Sequence, residues 1–385
     1  MSDASINPAI YESIRSDRFL ERSRGKSRGK LIAGGLIFVL MTLAIFWYQF
    51  HRIQAGDDIP RLSHLRWGYL ILIFFFLPLE AFVLGLRMWV VCRVLQPGIG
   101  FWTCLKADLA NSGIAILTPS QSGGGAGQIY MLNHGGARLG TALTTTLLTF
   151  VGTMSALLVF GLYSLFVSGI GQTGPLFMGA VTTLALTSAF MVFSAVCPGF
   201  LRIGIAASSR FIWRIRRKRY PLHDWWPPGH PRTGSPTDRM GSLSGKLAGL
   251  VYTYQADLRR YLRGGKLSFV VVCLLSLTFL ASRFLLAYFC VRFLGIQESS
   301  LGKIFETQIA LIFLTYLAPT PGSAGIAEGA SVWIMGGIVP LGFAPYYNLL
   351  WRFSTVYIAA SAGLILLSHR VLLDMQKNIQ RWHLR

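Results

Sequence analysis

LTPSQSGGGAGQ, residues 117–128, and LAPTPGSAGIAE, residues 317–328, each follow an apolar block and interrupt it with proline and glycine. Leu117, Pro119, Ser120, Gly125 and Gln128 stand 200 residues ahead of Leu317, Pro319, Thr320, Gly325 and Glu328, with no gap between the two runs. Proline removes a backbone donor, and glycine allows the backbone to come close to a neighbour. In a hydrocarbon environment such irregular backbone is tolerated only where protein buries it or where it lines a polar cavity. The stretch therefore reads as a broken element at membrane depth, present twice.

The flanks repeat with the breaks. An arginine-bearing apolar segment precedes each one, with Arg87 and Arg93 in the first half and Arg283 and Arg292 in the second. A Leu-Gly-x-Ala element follows each one, Leu139 to Ala142 and Leu341 to Ala344, and then a long apolar run. Over the whole chain of 385 residues, 53% are hydrophobic, 13% are charged and the mean hydropathy is +0.51. A soluble domain carries about a quarter of its residues charged. The apolar residues gather in blocks of about 20, the length a helix needs to cross a core ~30 Å thick. They lack the period-2 alternation of a membrane barrel. The expected fold is an all-α polytopic membrane protein with about six transmembrane helices, near 31–50, 67–92, 141–168, 174–197, 268–291 and 347–369. Two re-entrant broken hairpins complete it, arranged in inverted repeats. The first block has no small-residue cleavage site after it and reads as an uncleaved span.

Charge sets the orientation. The formal net charge is +21, and the basic residues lie outside the apolar blocks. Lys and Arg accumulate on the cytoplasmic side of membrane proteins. Seven occur in residues 1–30 and fourteen in 200–266, and the end of the chain is basic again. Counting sides from an inside N-terminus places all of these segments on one face. The organisation expected is a basic cytoplasmic tail (1–30) and a first membrane half (31–199) with its hairpin at 101–132. A basic cytoplasmic loop (200–266) carrying an amphipathic helix comes next. A second membrane half (267–370) with its hairpin at 303–334 and a basic cytoplasmic tail (371–385) complete the chain. In the loop Leu243, Leu247, Leu250, Val251, Tyr254, Leu258, Tyr261 and Leu262 follow helical spacing, so this helix lies on the membrane surface or packs under the bundle. Its basic residues favour anionic lipid. No aromatic-interleaved basic domain accompanies the charge, so a nucleic-acid partner is not expected.

Glu80, Arg87, Arg283, Glu328 and Arg352 fall in or beside apolar blocks. A charge at a helix centre costs at least ~2.5–3.5 kcal/mol unless paired or wet. Glu80 and Arg87, seven apart, share a helix face. Arg352 and Arg283 are the candidate partners of Glu328, while Arg87 and Arg352 have snorkelling to an interface as their alternative. The five cysteines form no CxxC pair, and no HExxH, Walker or nucleophile-elbow motif occurs. No catalytic residue, metal or cofactor is expected. Candidate binding residues are Pro119, Ser120, Gln121, Gly123, Gly124, Gly125, Gln128 and Tyr130 around the first break. Around the second they are Pro319, Thr320, Pro321, Gly322, Gly325 and Glu328. Arg87, Arg283 and Arg352 are the available cations. Inverted repeats with broken helices at mid-membrane are a transporter architecture.

The stretch LTPSQSGGGAGQIYMLNHGGARLGTAL (117–143), with its partner LAPTPGSAGIAEGASVWIM (317–335), resembles the flippase-like transmembrane domain of bacterial lysylphosphatidylglycerol synthetases, over most of residues 30–370. The resemblance is to a stand-alone relative, since the soluble aminoacyl-transferase domain would add some three hundred residues at the C-terminus. It implies transfer of a modified phospholipid between leaflets in the bacterial cytoplasmic (inner) membrane. The expected function is translocation of a phospholipid or lipid-linked substrate whose head group sits between the two hairpins. The expected partner is a membrane phospholipid, anionic or aminoacylated. A second copy of the chain and a soluble synthase are further candidate partners. Two competing readings are a membrane-embedded head-group transferase, for which Glu328 with Arg352 is a thin constellation, and a non-catalytic anchor that holds a soluble synthase through the 200–266 loop.

Overall fold

The computed structural model describes residues 33–52, 60, 62–167 and 253–383, with isolated positions between 179 and 189. The span expected at 174–197 falls almost entirely outside the described residues, as do the tail 1–30 and the loop from 200 to 252. The described residues are helical, joined by short turns. In chain order the helices are α1 (Ala33–His51), α2 (Trp67–Leu95), α3 (Phe101–Ala115), α4 (Gly124–His134) and α5 (Leu139–Val167). They continue as α6 (253–264), α7 (Lys266–Phe293), α8 (Leu301–Leu317), α9 (Ile326–Met335), α10 (Ala344–Arg352) and α11 (Ile358–His383). A π-turn, Phe353–Tyr357, joins the last two.

Five spans among the described residues are long and apolar enough to cross a bilayer: Ala33–His51, Trp67–Leu95, Leu139–Ser164, Lys266–Phe293 and Leu341–Asp374. Their outer faces carry large exposed apolar side chains, among them Leu36, Leu40 and Leu43 on α1 and Ile71, Phe74, Phe75 and Phe82 on α2. Water would penalise such faces, whereas lipid solvates them. The polar residues point inward, which inverts the pattern of a soluble bundle. Each expected hairpin region is a pair of short helices around a turn, α3–α4 in 101–134 and α8–α9 in 301–335.

The chain divides into two compact units, and their boundaries fall within helices. The first comprises the described residues of Met1–Ile73, Ala110–Ala126 and Ala287–Arg385. Its core includes Phe38 of α1, Ile116, Ala324 and Ala360, with Met41, Val356, Tyr357 and Leu364 packed against them. Gly113 sits against the α11 backbone, where an added Cβ would stand 2.8 Å from the Leu364 nitrogen. Only glycine permits that approach of two helices.

The second unit comprises Phe74–Leu109 and the described residues of Gly127–Leu286. Here the amphipathic helix packs under the bundle. Tyr254, Leu258 and Tyr261 of α6 join Val91 and Leu95 of α2, Leu148 of α5 and Val272 of α7 in one buried cluster. Gly265 ends α6, as the Gly264-Gly265 pair predicts, and its N–H donates to the Tyr261 carbonyl at 2.6 Å. The exposed edge of α6 carries Arg259, Arg260 and Arg263.

Candidate functional site

Both breaks fold into the same turn. Gln121 N–H donates to the Thr118 carbonyl and Ser122 N–H to the Pro119 carbonyl, at 3.2 and 3.1 Å. In the second break Ser323 N–H donates to the Thr320 carbonyl and Ala324 N–H to the Pro321 carbonyl, at 3.1 and 3.0 Å. Two consecutive left-handed residues follow the proline in each: Ser120 and Gln121 with φ of 51° and 55°, Gly322 and Ser323 with φ of 56° and 60°. The structural repeat at the breaks is therefore 202 residues, pairing Pro119 with Pro321, where the ungapped sequence match pairs Pro119 with Pro319. The physical cause is the length of the preceding helix: α8 has 17 residues and α3 has 15. In this register Thr118-Pro119 matches Thr320-Pro321, and Gly123 matches Gly325. Glu328 then stands at the place of Ala126 and Gln128 at that of Ala330, so the two polar residues are not repeat equivalents.

The two tips meet within the first unit. Pro119 and Pro321 form an isolated antiparallel backbone bridge, and Gln121 Nε2 donates to Ser323 Oγ at 3.4 Å. Ser323 Oγ in turn donates to the Thr315 carbonyl at 2.6 Å, which fixes the tip to its own helix α8. Pro119, Ser120 and Pro319 remain exposed around this meeting point, while Thr320 and Gly125 are half-buried. Gly123 N–H donates to Thr118 Oγ1 at 3.0 Å, closing the first turn. Gly124 lies against Asn111, whose carbonyl oxygen would be 2.9 Å from an added Cβ.

Behind the second tip lies a fully buried ion pair. Arg352 Nε stands 2.8 Å from Glu328 Oε1, with the two side chains 2% and 0% exposed. Glu328 is the third residue of α9, and its Oε2 accepts the Gly325 N–H at 2.7 Å. A carboxylate there satisfies an orphan helix-terminal donor and opposes the positive end of the helix dipole. Arg352 Nη2 donates to the carbonyl of the left-handed Gly322 at 2.6 Å. One guanidinium thus joins the carboxylate, the break and the last turn of α10. The Glu328 carbonyl accepts from Gln49 Nε2 of α1 and from Asn348 Nδ2 of α10, at 3.4 and 3.3 Å. Asn348 also donates to Gln49 Oε1 at 3.2 Å. The π-turn starts directly after Arg352, and the Trp351 carbonyl there accepts the hydroxyls of Ser354 and Thr355. Side-chain insertion of this kind is a known cause of local helix distortion, and π-turns concentrate at functional sites.

The second unit holds its own charges, with Glu80, Arg87 and Asp108 buried and Arg283 partly exposed. Glu80 Oε1 pairs with Arg283 Nε at 2.8 Å, joining α2 to α7. Arg87, two turns further along the same face of α2, goes to a different acid: its Nη2 faces Asp108 Oδ1 of α3 at 3.7 Å. Arg87 Nη1 donates to Thr153 Oγ1 at 2.5 Å and to Ser276 Oγ at 3.3 Å. Gln128 Nε2 of α4 donates to Asp108 Oδ1 at 3.3 Å, so Asp108 ties both arms of the first hairpin to α2. The guanidiniums of Arg87 and Arg283 lie 5.9 and 4.8 Å from the Phe279 ring. Tyr130 packs against His134 on α4.

The predicted site residues therefore fall into two groups. The first unit brings together the two tips with Glu328 and Arg352. The second contains Arg87, Arg283, Gln128 and Tyr130. Arg87 and Arg352 are buried and held by polar partners, which rules out snorkelling for both. Of the two partners considered for Glu328, Arg352 is the one present. Sequence reasoning missed Asp108, although an acid inside the weakly apolar block 101–118 carries the same signal as Glu80.

The family described as "Lysylphosphatidylglycerol synthase TM region" matches residues 31–363. A UPF0104 membrane protein of Archaeoglobus fulgidus is 22% identical over 349 residues, covering 88% of this chain and 97% of the relative. No solved structure matches.

Proposed function

The chain belongs to the lysylphosphatidylglycerol synthase TM region family, and on that footing we propose that it moves a phospholipid or lipid-linked substrate between the leaflets of a cytoplasmic membrane. The observation that carries this reading is the meeting of the two broken tips through Pro119 and Pro321. Two helix interruptions that touch at one point give a lipid head group a polar foothold within an apolar bundle. Backbone carbonyls and N–H groups freed from helical pairing serve the head group there, as broken helices do in transporters.

The Glu328–Arg352 pair gives the tip a defined shape and places a guanidinium beside it. The buried Arg352 in the first unit, and the buried Arg87 and partly exposed Arg283 in the second, are the cations suited to a phosphate. The termini and the 200–266 loop lie on the cytoplasmic face in this reading, as the basic residues require. The acyl chains stay in lipid beside the exposed apolar faces while the head group crosses.

The test is transfer of fluorescent phosphatidylglycerol between leaflets of liposomes containing the purified chain. Wild-type protein accelerates the transfer, and Glu328→Gln slows it at unchanged folding. Liposomes whose transfer rate equals that of protein-free vesicles, across anionic, aminoacylated and lipid-linked sugar probes, overturn the proposal.

A further inference from the structure

Among the described residues, the charges clustered between α2, α3 and α7 balance: two guanidiniums, the buried Arg87 and the partly exposed Arg283, face two buried carboxylates, Asp108 and Glu80. The two pairs differ in quality. Glu80 and Arg283 are in direct hydrogen-bond contact at 2.8 Å. Arg87 and Asp108 stand 3.7 Å apart, and Arg87 Nη1 is turned to the hydroxyls of Thr153 and Ser276. Arg87 is therefore the guanidinium whose carboxylate is more easily exchanged for another oxyanion.

Exchange has an electrostatic condition. Arg87 and Asp108 are 5% and 4% exposed, so water does not screen an added charge. A phosphodiester monoanion on Arg87 would leave the cluster with one uncompensated negative charge, which a low-dielectric interior strongly disfavours. One proton on Asp108 restores the balance.

We propose that an anionic phospholipid head group and a proton enter this site together, the phosphate oxygen taking Arg87 and the proton taking Asp108. The inference rests on the lipid-binding reading given above. In the step, a proton from the aqueous phase forms an O–H bond with an Asp108 carboxylate oxygen, and the phosphate oxyanion accepts from the Arg87 guanidinium. Total charge before and after is zero. Asp108 is faced by Arg87 and Glu80 of α2, Arg283 of α7 and the Gln128 amide of α4, with Cys104 one turn earlier on its own helix. Glu80 keeps Arg283 neutralised, which leaves Asp108 as the acceptor. Because bound lipid favours protonated Asp108, affinity is greatest below the pH at which free Asp108 ionises and falls above it.

Isothermal calorimetry of the detergent-solubilised full chain with dihexanoylphosphatidylglycerol, in two buffers of different ionisation heat, counts the protons. Above the Asp108 transition the expected result is uptake of about one proton per lipid and an affinity that falls about tenfold per pH unit, while below it both vanish. Zwitterionic dihexanoylphosphatidylcholine takes up none. Asp108→Asn removes both the buffer dependence and the pH dependence, and Asp108→Glu restores them. Phosphatidylglycerol binding with no proton uptake by the wild type at any pH, or with unchanged uptake in Asp108→Asn, overturns the proposal. If Asp108→Asn does not fold, the wild-type count decides alone. Absence of lipid binding at every pH defeats the head-group reading itself, and this inference with it.

Discussion

The Arg352 guanidinium donates to the carbonyl of Gly322 at 2.6 Å while its Nε stands 2.8 Å from Glu328. The break and the ion pair are thus one structure, and a change in either is felt by both.

The first prediction concerns the two members of that pair. Removing Arg352 strands a fully buried carboxylate, whereas Glu328→Gln keeps an oxygen to accept the Gly325 N–H. Arg352→Ala is expected to cost roughly 3–5 kcal/mol, and Glu328→Gln clearly less. Thermal unfolding in detergent checks the order. In the double variant Glu328→Gln with Arg352→Met, part of the loss returns, because no buried charge remains unpaired. Fully additive losses in the double variant, with nothing returned, would remove the pair from the account of the tip.

Gly322 adopts φ +56°, and an added Cβ would lie 2.8 Å from both Ile116 Cγ1 and Phe38 Cε2. Gly322→Ala combines about 1–2 kcal/mol of left-handed strain with overpacking of the first-unit core. It is expected to lower the midpoint of unfolding and to slow lipid transfer. Pro319→Ala, at an exposed position of the same break, is expected to change stability by no more than about 0.5 kcal/mol. Side-by-side unfolding curves decide.

The register of the tips is testable by cross-linking. Backbone bridging brings Pro119 and Pro321 within the ~4.5–5.5 Å Cα separation of paired antiparallel residues, which suits a disulfide. In a background without the native cysteines, Pro119→Cys with Pro321→Cys forms an intramolecular bond on mild oxidation. Pro119→Cys with Pro319→Cys forms it much more slowly. Peptide mass spectrometry reads both. Lipid transfer stops in the oxidised first pair and returns on reduction if the tips must part.

Orientation is checked with single cysteines near Ser235 and Gly171, labelled by a membrane-impermeant reagent in intact and opened cells. Basic-residue asymmetry places them on opposite faces. Labelling from one face would overturn the orientation and the inversion of the repeats.

What the sequence determined by itself is what depends on local composition. Apolar block length and the scarcity of charge specify membrane helices, because the bilayer sets one length and one polarity for every span. The Thr-Pro and Gly positions mark the breaks, because proline and glycine act on their own backbone. Glu328 and Arg352 stood out because an ionisable group in an apolar run needs a partner wherever it ends up. The tertiary structure alone decided which partners meet. Glu80 and Arg87 share a face of α2, yet Glu80 pairs with Arg283 and Arg87 faces Asp108. Those choices depend on the rotation of each helix about its axis and on its depth, and neither is written in a hydropathy pattern. The repeat register was decided the same way. A two-residue difference between α3 and α8 moves the match at the tips from Pro319 to Pro321, since helix ends are set by packing and capping across the fold rather than by the residues of the break.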